Sequence, residues 1–165
     1  MATGITLEEL MGWSEEAAEF WKDHLEANPA LLELPCGIGG TANVQAFIRH
    51  IWGVELRWSQ RLAGTVPTAV KDMPEGPVNA LFGLHTQALE SLRGLMAAPD
   101  QGWEQPFTFE IEKLPPELRT LSRRKVAVHL LFHSQRHYAQ LATLVRNAGF
   151  QSEFKGDLLF SSALD

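Results

Sequence analysis

The chain has 165 residues, 45% of them apolar and 21% charged, with a net charge of −6 at pH 7. That length suits one domain, residues 1–165, able to bury roughly 70% of the surface its unfolded chain exposes. The acidic balance, with no basic stripe interleaved with aromatics, excludes nucleic acid as a partner, and no apolar run approaches the roughly 18 residues of a membrane span.

Cys36 is the only cysteine, so neither an intrachain disulfide nor a CxxC metal knuckle can form, which fits a reducing, cytoplasmic setting. The opening MATGITLEEL has no basic n-region and carries glutamates, so no secretory signal is expected.

Helix 1 is predicted from Thr6 to Ala27, with Thr6 as N-cap and Glu9 completing a capping box. Asn28-Pro29 stops it. Residues 28–40 are a Pro/Gly-rich loop ending CGIGG, which lacks the GK[ST] and preceding strand of a phosphate loop and reads as a connection. Helix 2 is predicted from Ala42 to Ala63, capped by Thr41. Its core stripe is Val44, Phe47, Ile51, Val54, Trp58 and Leu62, and Gly64 follows as a C′ glycine. His50 flanks that stripe.

A second punctuated loop, 65–76, leads to helix 3, predicted from Pro77 to Ala97, with His85 beside its apolar face. Residues 98–119 form a long irregular connection in which Phe107, Phe109 and Ile111 alternate with polar residues, the pattern of one short strand. Helix 4 runs from Thr120 or Ser122 to Ala148, with Gly149 as its stop. Arg123, Arg124 and Lys125 crowd its start against the helix dipole, which reads most simply as a solvated patch. The tail carries Phe154, Leu158, Leu159 and Phe160 and is expected to pack back on the helices or on a second subunit. Four amphipathic helices and almost no strand signal give an all-α fold, a four-helix bundle.

Helix 4 carries the chemistry. Its stripe runs Val126, Leu130, His133, His137, Leu141, Leu144, so two histidines stand where a core helix carries leucine, with His129 at the stripe's edge. Imidazoles there must bond to partners or hold a metal. His133 and His137 are one turn apart and can share one divalent ion. Further ligands must come from another helix; His24 sits near a helix end, and spacing does not separate His50 from His85. Three histidines with open positions would make a catalytic type of site, suited to Zn, Ni, Cu or Fe. A metal there would act as a Lewis acid, holding a thiol as thiolate or lowering the pKa of water towards ~7. The plain alternative is a set of satisfied core histidines. No HExxH or ExxH motif is present, which disfavours zincin and di-iron chemistry.

Two stretches resemble the DinB/YfiT-like family of metal-dependent proteins, the damage-inducible bundle rather than the polymerase of the same name. RHIWGVELRWSQRL in helix 2 is similar to the family's segment of His, Glu, Trp and Arg-Leu. VHLLFHSQRHYAQLATLVRNAG in helix 4 is similar to its H-x3-H-x3-H segment followed by Gln and L-R-x-x-G. Asp157-Leu158-Leu159 is similar to its closing motif. The resemblance implies a bundle with long crossover connections, a homodimer, and a divalent metal (Zn, Ni or Fe) on His50, His133 and His137. His129 and Glu55 are then expected as neighbouring base or supporting groups. Related branches transfer low-molecular-weight thiols, so a thiol S-transferase or a hydrolase is implied; the alternative is a non-catalytic metal- or partner-binding bundle in a stress response. Where the family has His-Arg-Gly, this chain has His137-Tyr138-Ala139.

Overall fold

The structure is a computed structural model describing residues 4–98, 102–109, 111, 115–116 and 119–164. Its helices are α1 (Leu7–Ala27), α2 (Val44–Leu62), α3 (Val78–Ala97) and α4 (Arg123–Asn147). The Thr6–Glu9 capping box forms as the sequence predicts, Thr6 Oγ1 accepting from the Glu9 amide at 3.1 Å and Glu9 accepting from the Thr6 amide at 2.6 Å. α2 starts later than the sequence suggests. Thr41 donates its hydroxyl to the Ile38 carbonyl, and Asn43 is the N-cap, accepting from the Ala46 amide at 2.9 Å. Gly64, at φ +73°, ends α2 as expected.

Each helix pair in contact follows one ring order. α1 packs on α3 and α4, and α2 packs on α3 and α4, so α1 lies diagonally across from α2, and α3 across from α4. The core clusters give the directions. One end gathers Leu10 and Met11 of α1, Leu62 of α2, Leu89 and Leu92 of α3, and Val126, Leu130 and Leu131 of α4. The other gathers Trp21 and Leu25, Val44 and Phe47, Val78 and Leu81, and Leu141 and Val145. α1 and α4 therefore run one way, and α2 and α3 the other. The connections 28–43 and 98–122 cross the ends diagonally.

Because α2 and α3 are parallel, residues 63–77 must return along the whole of α2, about 28 Å. α2 holds this crossover down. Arg49 donates to the carbonyls of Val70, Met73 and Pro74, Gln45 to that of Gly76, and Gln60 bonds Thr68. Met73 seats against Gly53, where a Cβ would come within 2.7 Å of its sulfur.

The strand expected around Phe107 proves to be half of a hairpin. β1 (Pro106–Thr108) pairs antiparallel with β2 (Thr120–Ser122), and Ser122 also caps α4. Residues 110, 112–114 and 117–118 between them lie outside the described residues. Arg123, read in the sequence as part of a solvated patch, instead donates to the Leu62 carbonyl at 2.5 Å. It therefore sits at the carbonyl end of α2, where the dipole favours a cation. The tail packs on α1: Trp13 Nε1 donates to the Gly156 carbonyl, Ser162 bonds Glu16, and Phe154 meets Phe20 and Trp21. No described helix is long and apolar enough to cross a membrane.

α2 and α4 are joined at their core by Trp52 Nε1 donating to the Tyr138 hydroxyl at 2.7 Å, with both side chains fully buried. Tyr138→Phe leaves that N–H without an acceptor and is expected to lower unfolding free energy by about 1–3 kcal/mol in a denaturant titration. Tyr138→Phe unfolding at the wild-type midpoint would show that the bond contributes nothing.

Candidate metal centre

His50 comes from the second turn of α2, and His133 and His137 from successive turns of α4. Neither helix needs distortion to present them; the antiparallel contact of α2 with α4 brings the rings together. One ring nitrogen from each lies within 4.8 Å of the others. The ring centres are 5.6 Å apart for His50 and His133, 5.4 Å for His50 and His137, and 4.3 Å for His133 and His137.

The hydrogen bonds orient these rings. His137 Nδ1–H donates to Gln140 Oε1 at 2.7 Å, which leaves the lone pair on Nε2. That Nε2 is aimed at His133 Nε2, 3.1 Å away, and Arg136 Nη2 donates to it at 3.3 Å. Two imidazole nitrogens facing each other can share at most one proton. His133 Nδ1 is buried with no partner. A core that merely satisfied its histidines would offer each ring nitrogen a carbonyl or hydroxyl. Here the nitrogens converge on one point, and the set fits a divalent cation of the Zn, Ni or Fe type. Gln140 is the outer partner that such ligand histidines regularly have.

Electrostatics agree with that fit. Burial, then the neighbouring His137, His50, Arg136 and His129, push the His133 pKa down to about 3. Burial also lowers His50, with His137 and Arg136 adding to it. In His137 burial outweighs the opposing bond to Gln140. All three rings are neutral at pH 7, the form that binds metal.

The other histidines go elsewhere. His85, which spacing could not separate from His50, donates Nδ1–H to Glu55 at 2.6 Å. The second Glu55 oxygen accepts from Ser134 at 2.5 Å. Both oxygens of Glu55 are thus engaged in a buried link between α2, α3 and α4, on a different side from the three rings. His129 lies near them, its ring 5.9 Å from His133 and 6.0 Å from Trp58, and exposed at the rim. His24 stacks on Phe20 at 5.5 Å, away from the cluster. Tyr138, in the place of the family's Arg, is buried against Trp52. Sequence reading passed over Gln140 and Arg136 as site residues. Gln140's position three residues after His137, on the same face, was the available signal.

The DinB superfamily model matches residues 8–141. The chain belongs to the DinB superfamily. Among solved structures it is similar to YfiT from Bacillus subtilis, a probable metal-dependent hydrolase with an unusual four-helix bundle topology. The match has a TM-score of 0.67 at 17% identity over 92% of this chain and 94% of that one. No curated protein matches the sequence. This member of the superfamily shares the YfiT bundle, and His50 of α2 converges with His133 and His137 of α4.

Histidines held neutral by burial make the fold acid-sensitive. Between pH 6.5 and the lowered folded values, the unfolded chain binds protons that the folded chain does not. Stability is then complete above about pH 6.5 and is lost as pH falls, by at most about 1.4 kcal/mol per pH unit for each group. Melting temperatures of the metal-free protein should fall steadily from pH 7 to pH 5, and less steeply in His133→Gln. Equal slopes in the two proteins would remove His133 as a source of that sensitivity.

Proposed function

We propose that this chain, acting as one DinB-like domain, is a divalent-metal-dependent enzyme whose ligands are His50, His133 and His137. The observation that carries the reading is the convergence of three neutral imidazole nitrogens from two helices. The reaction class is attack by water or a low-molecular-weight thiol on an electrophilic substrate, a hydrolase or a thiol S-transferase. The name of YfiT supports the hydrolase class. Two cavities beside the cluster favour an enzyme over a metal-storing bundle: one of about 320 Å³ lined by His50, and an open trough of about 730 Å³ lined by Gln140 and Cys36.

Bound there, the ion supplies Lewis acidity and activates the nucleophile near neutral pH. The chain's own groups do the rest. Gln140 holds the His137 proton at Nδ1 and so keeps Nε2 open. Arg136 donates to that Nε2, the position a bound cation would take instead. His129, half-exposed at the rim, its pKa lowered by partial burial and by Arg136, is the group that accepts a proton from the incoming nucleophile. Glu55 has both oxygens engaged with His85 and Ser134, so its part is to hold α2 and α4 in place.

Elemental analysis of the purified protein tests the metal. About one equivalent per chain is expected in the wild type and none in the His133→Ala/His137→Ala variant. Gln140→Leu should weaken metal affinity by roughly 10–100-fold. Hydrolysis of ester and amide panels, and thiol conjugation to electrophiles, then test turnover. Bound metal with no turnover in either panel would return the protein to the non-catalytic metal- or partner-binding reading.

The homodimer implied by the resemblance has apolar side chains to bury: Leu159 is 87% exposed and Phe160 55%. Light scattering should give twice the 18.4 kDa of one chain, and a monomer mass would remove the dimer from this reading.

A further inference from the structure

His50 belongs to two places at once. Its ring joins His133 and His137, and it also lines the cavity of about 320 Å³ between α2, the loop before it and the returning crossover. Thr41, Val54, Val70 and Met73 form much of that cavity's wall, and no carboxylate lines it. Two arginines do, and they are not equivalent. Arg49 is fully employed, donating to the carbonyls of Val70, Met73 and Pro74 and pairing with Glu75 at 3.2 Å. Arg57 has no acceptor and no acid among the described residues, and its Nε–H is buried without a partner.

The Arg57 side chain is half-buried, and its Nε–H, which has lost water without gaining an acceptor, is the costly part of it. The chain holds 20 acidic residues against 14 basic ones, yet none of the described acids has been placed beside Arg57. Arg57 follows His50 by two helical turns, so the two share a face about 10 Å apart along α2. Helix side chains lean towards the N-terminus, which for Arg57 is towards His50. The charged group acting on all three imidazoles is also a cation, Arg136. Three neutral ligands leave the charge of a divalent ion uncompensated. The cavity thus presents one unpaired cation, Arg57, and no acid.

We infer that Arg57 receives the carboxylate of a small organic acid, whose other end reaches the three-histidine cluster past His50. This deepens the proposed enzyme and rests on it: the substrate class becomes a carboxylate-bearing electrophile short enough for a cavity of about 320 Å³. A planar guanidinium fork matches a carboxylate with two parallel hydrogen bonds, which lysine could not reproduce.

The test is made first on metal-free protein. The Arg57 Nε–H resonance, identified by its loss in Arg57→Lys, is followed by nitrogen–proton correlation while succinate, succinamide or inorganic phosphate is added. Succinate should move it saturably, succinamide should not, and phosphate should bind more weakly than succinate. Arg57→Ala, checked for an unchanged unfolding curve, should bind succinate about tenfold or more weakly, the scale of one charge-assisted hydrogen bond. A resonance indifferent to succinate, equal binding in Arg57→Ala, or a preference for phosphate would each overturn the assignment. The second measurement uses Co(II)-loaded protein and compares 3-mercaptopropionate with 2-mercaptoethanol by visible absorption. A preference for the acid that Arg57→Ala abolishes supports the inference, and no preference counts against it. If Co(II) is not taken up at all, the metal reading fails, while the succinate result still decides the role of Arg57.

Discussion

Three imidazoles lie against one another at the α2–α4 interface, with no acid among the described residues paired to them. Two like charges cannot be held at such separations in a half-buried site, so the rings are neutral and their lone pairs are available. Neutrality in turn makes the proton positions matter. Gln140 fixes one of them, and the Nε2 atoms of His133 and His137 point at each other. A hydrophobic residue at any of the three positions would pack more cheaply.

That arrangement requires α2 and α4 to hold their register, and the bundle has two buried devices for it. One is Trp52 on Tyr138. The other is Glu55, which takes a bond from His85 of α3 and another from Ser134 of α4 while standing five residues after His50. Buried hydrogen bonds of this kind add only modest net stability, but leaving one partner unsatisfied costs about 1–3 kcal/mol, so they select one packing over its neighbours. His50 and Glu55 project from α2 to different sides, one towards the cluster and one towards the scaffold. Ser134 and His133 divide α4 in the same way.

Much of the fold was legible along the chain. Thr6 and Glu9 announced the start of α1, Gly64 the end of α2, and the spacing of apolar residues by three and four much of the buried face of α2 and α4. These are local signals, set by hydrogen bonds and side chains within one or two turns. Reading failed where a residue had a competing partner. Thr41 looks like a cap but is held by the Ile38 carbonyl, so Asn43 takes over. Arg123 looks like an unfavourable charge at the start of α4 and is instead a favourable one at the end of α2. Phe107 marked a strand, but its partner strand at Thr120–Ser122 had been absorbed into the expected helix.

The site divides along the same line. From the sequence alone came the stacking of His133 and His137, since four residues is one turn of helix, and the requirement for a partner from elsewhere. Spacing could not choose between His50 and His85, because both flank an apolar face at mid-helix. The ring order of the bundle decides it. α4 touches α2 and lies diagonally across from α3, so His50 meets the pair, and His85 is left to Glu55. The isolation of Arg57 beside His50 is likewise invisible in the chain. Whether a guanidinium has an acid within reach depends on which helices and loops pack around it, and no periodicity records that.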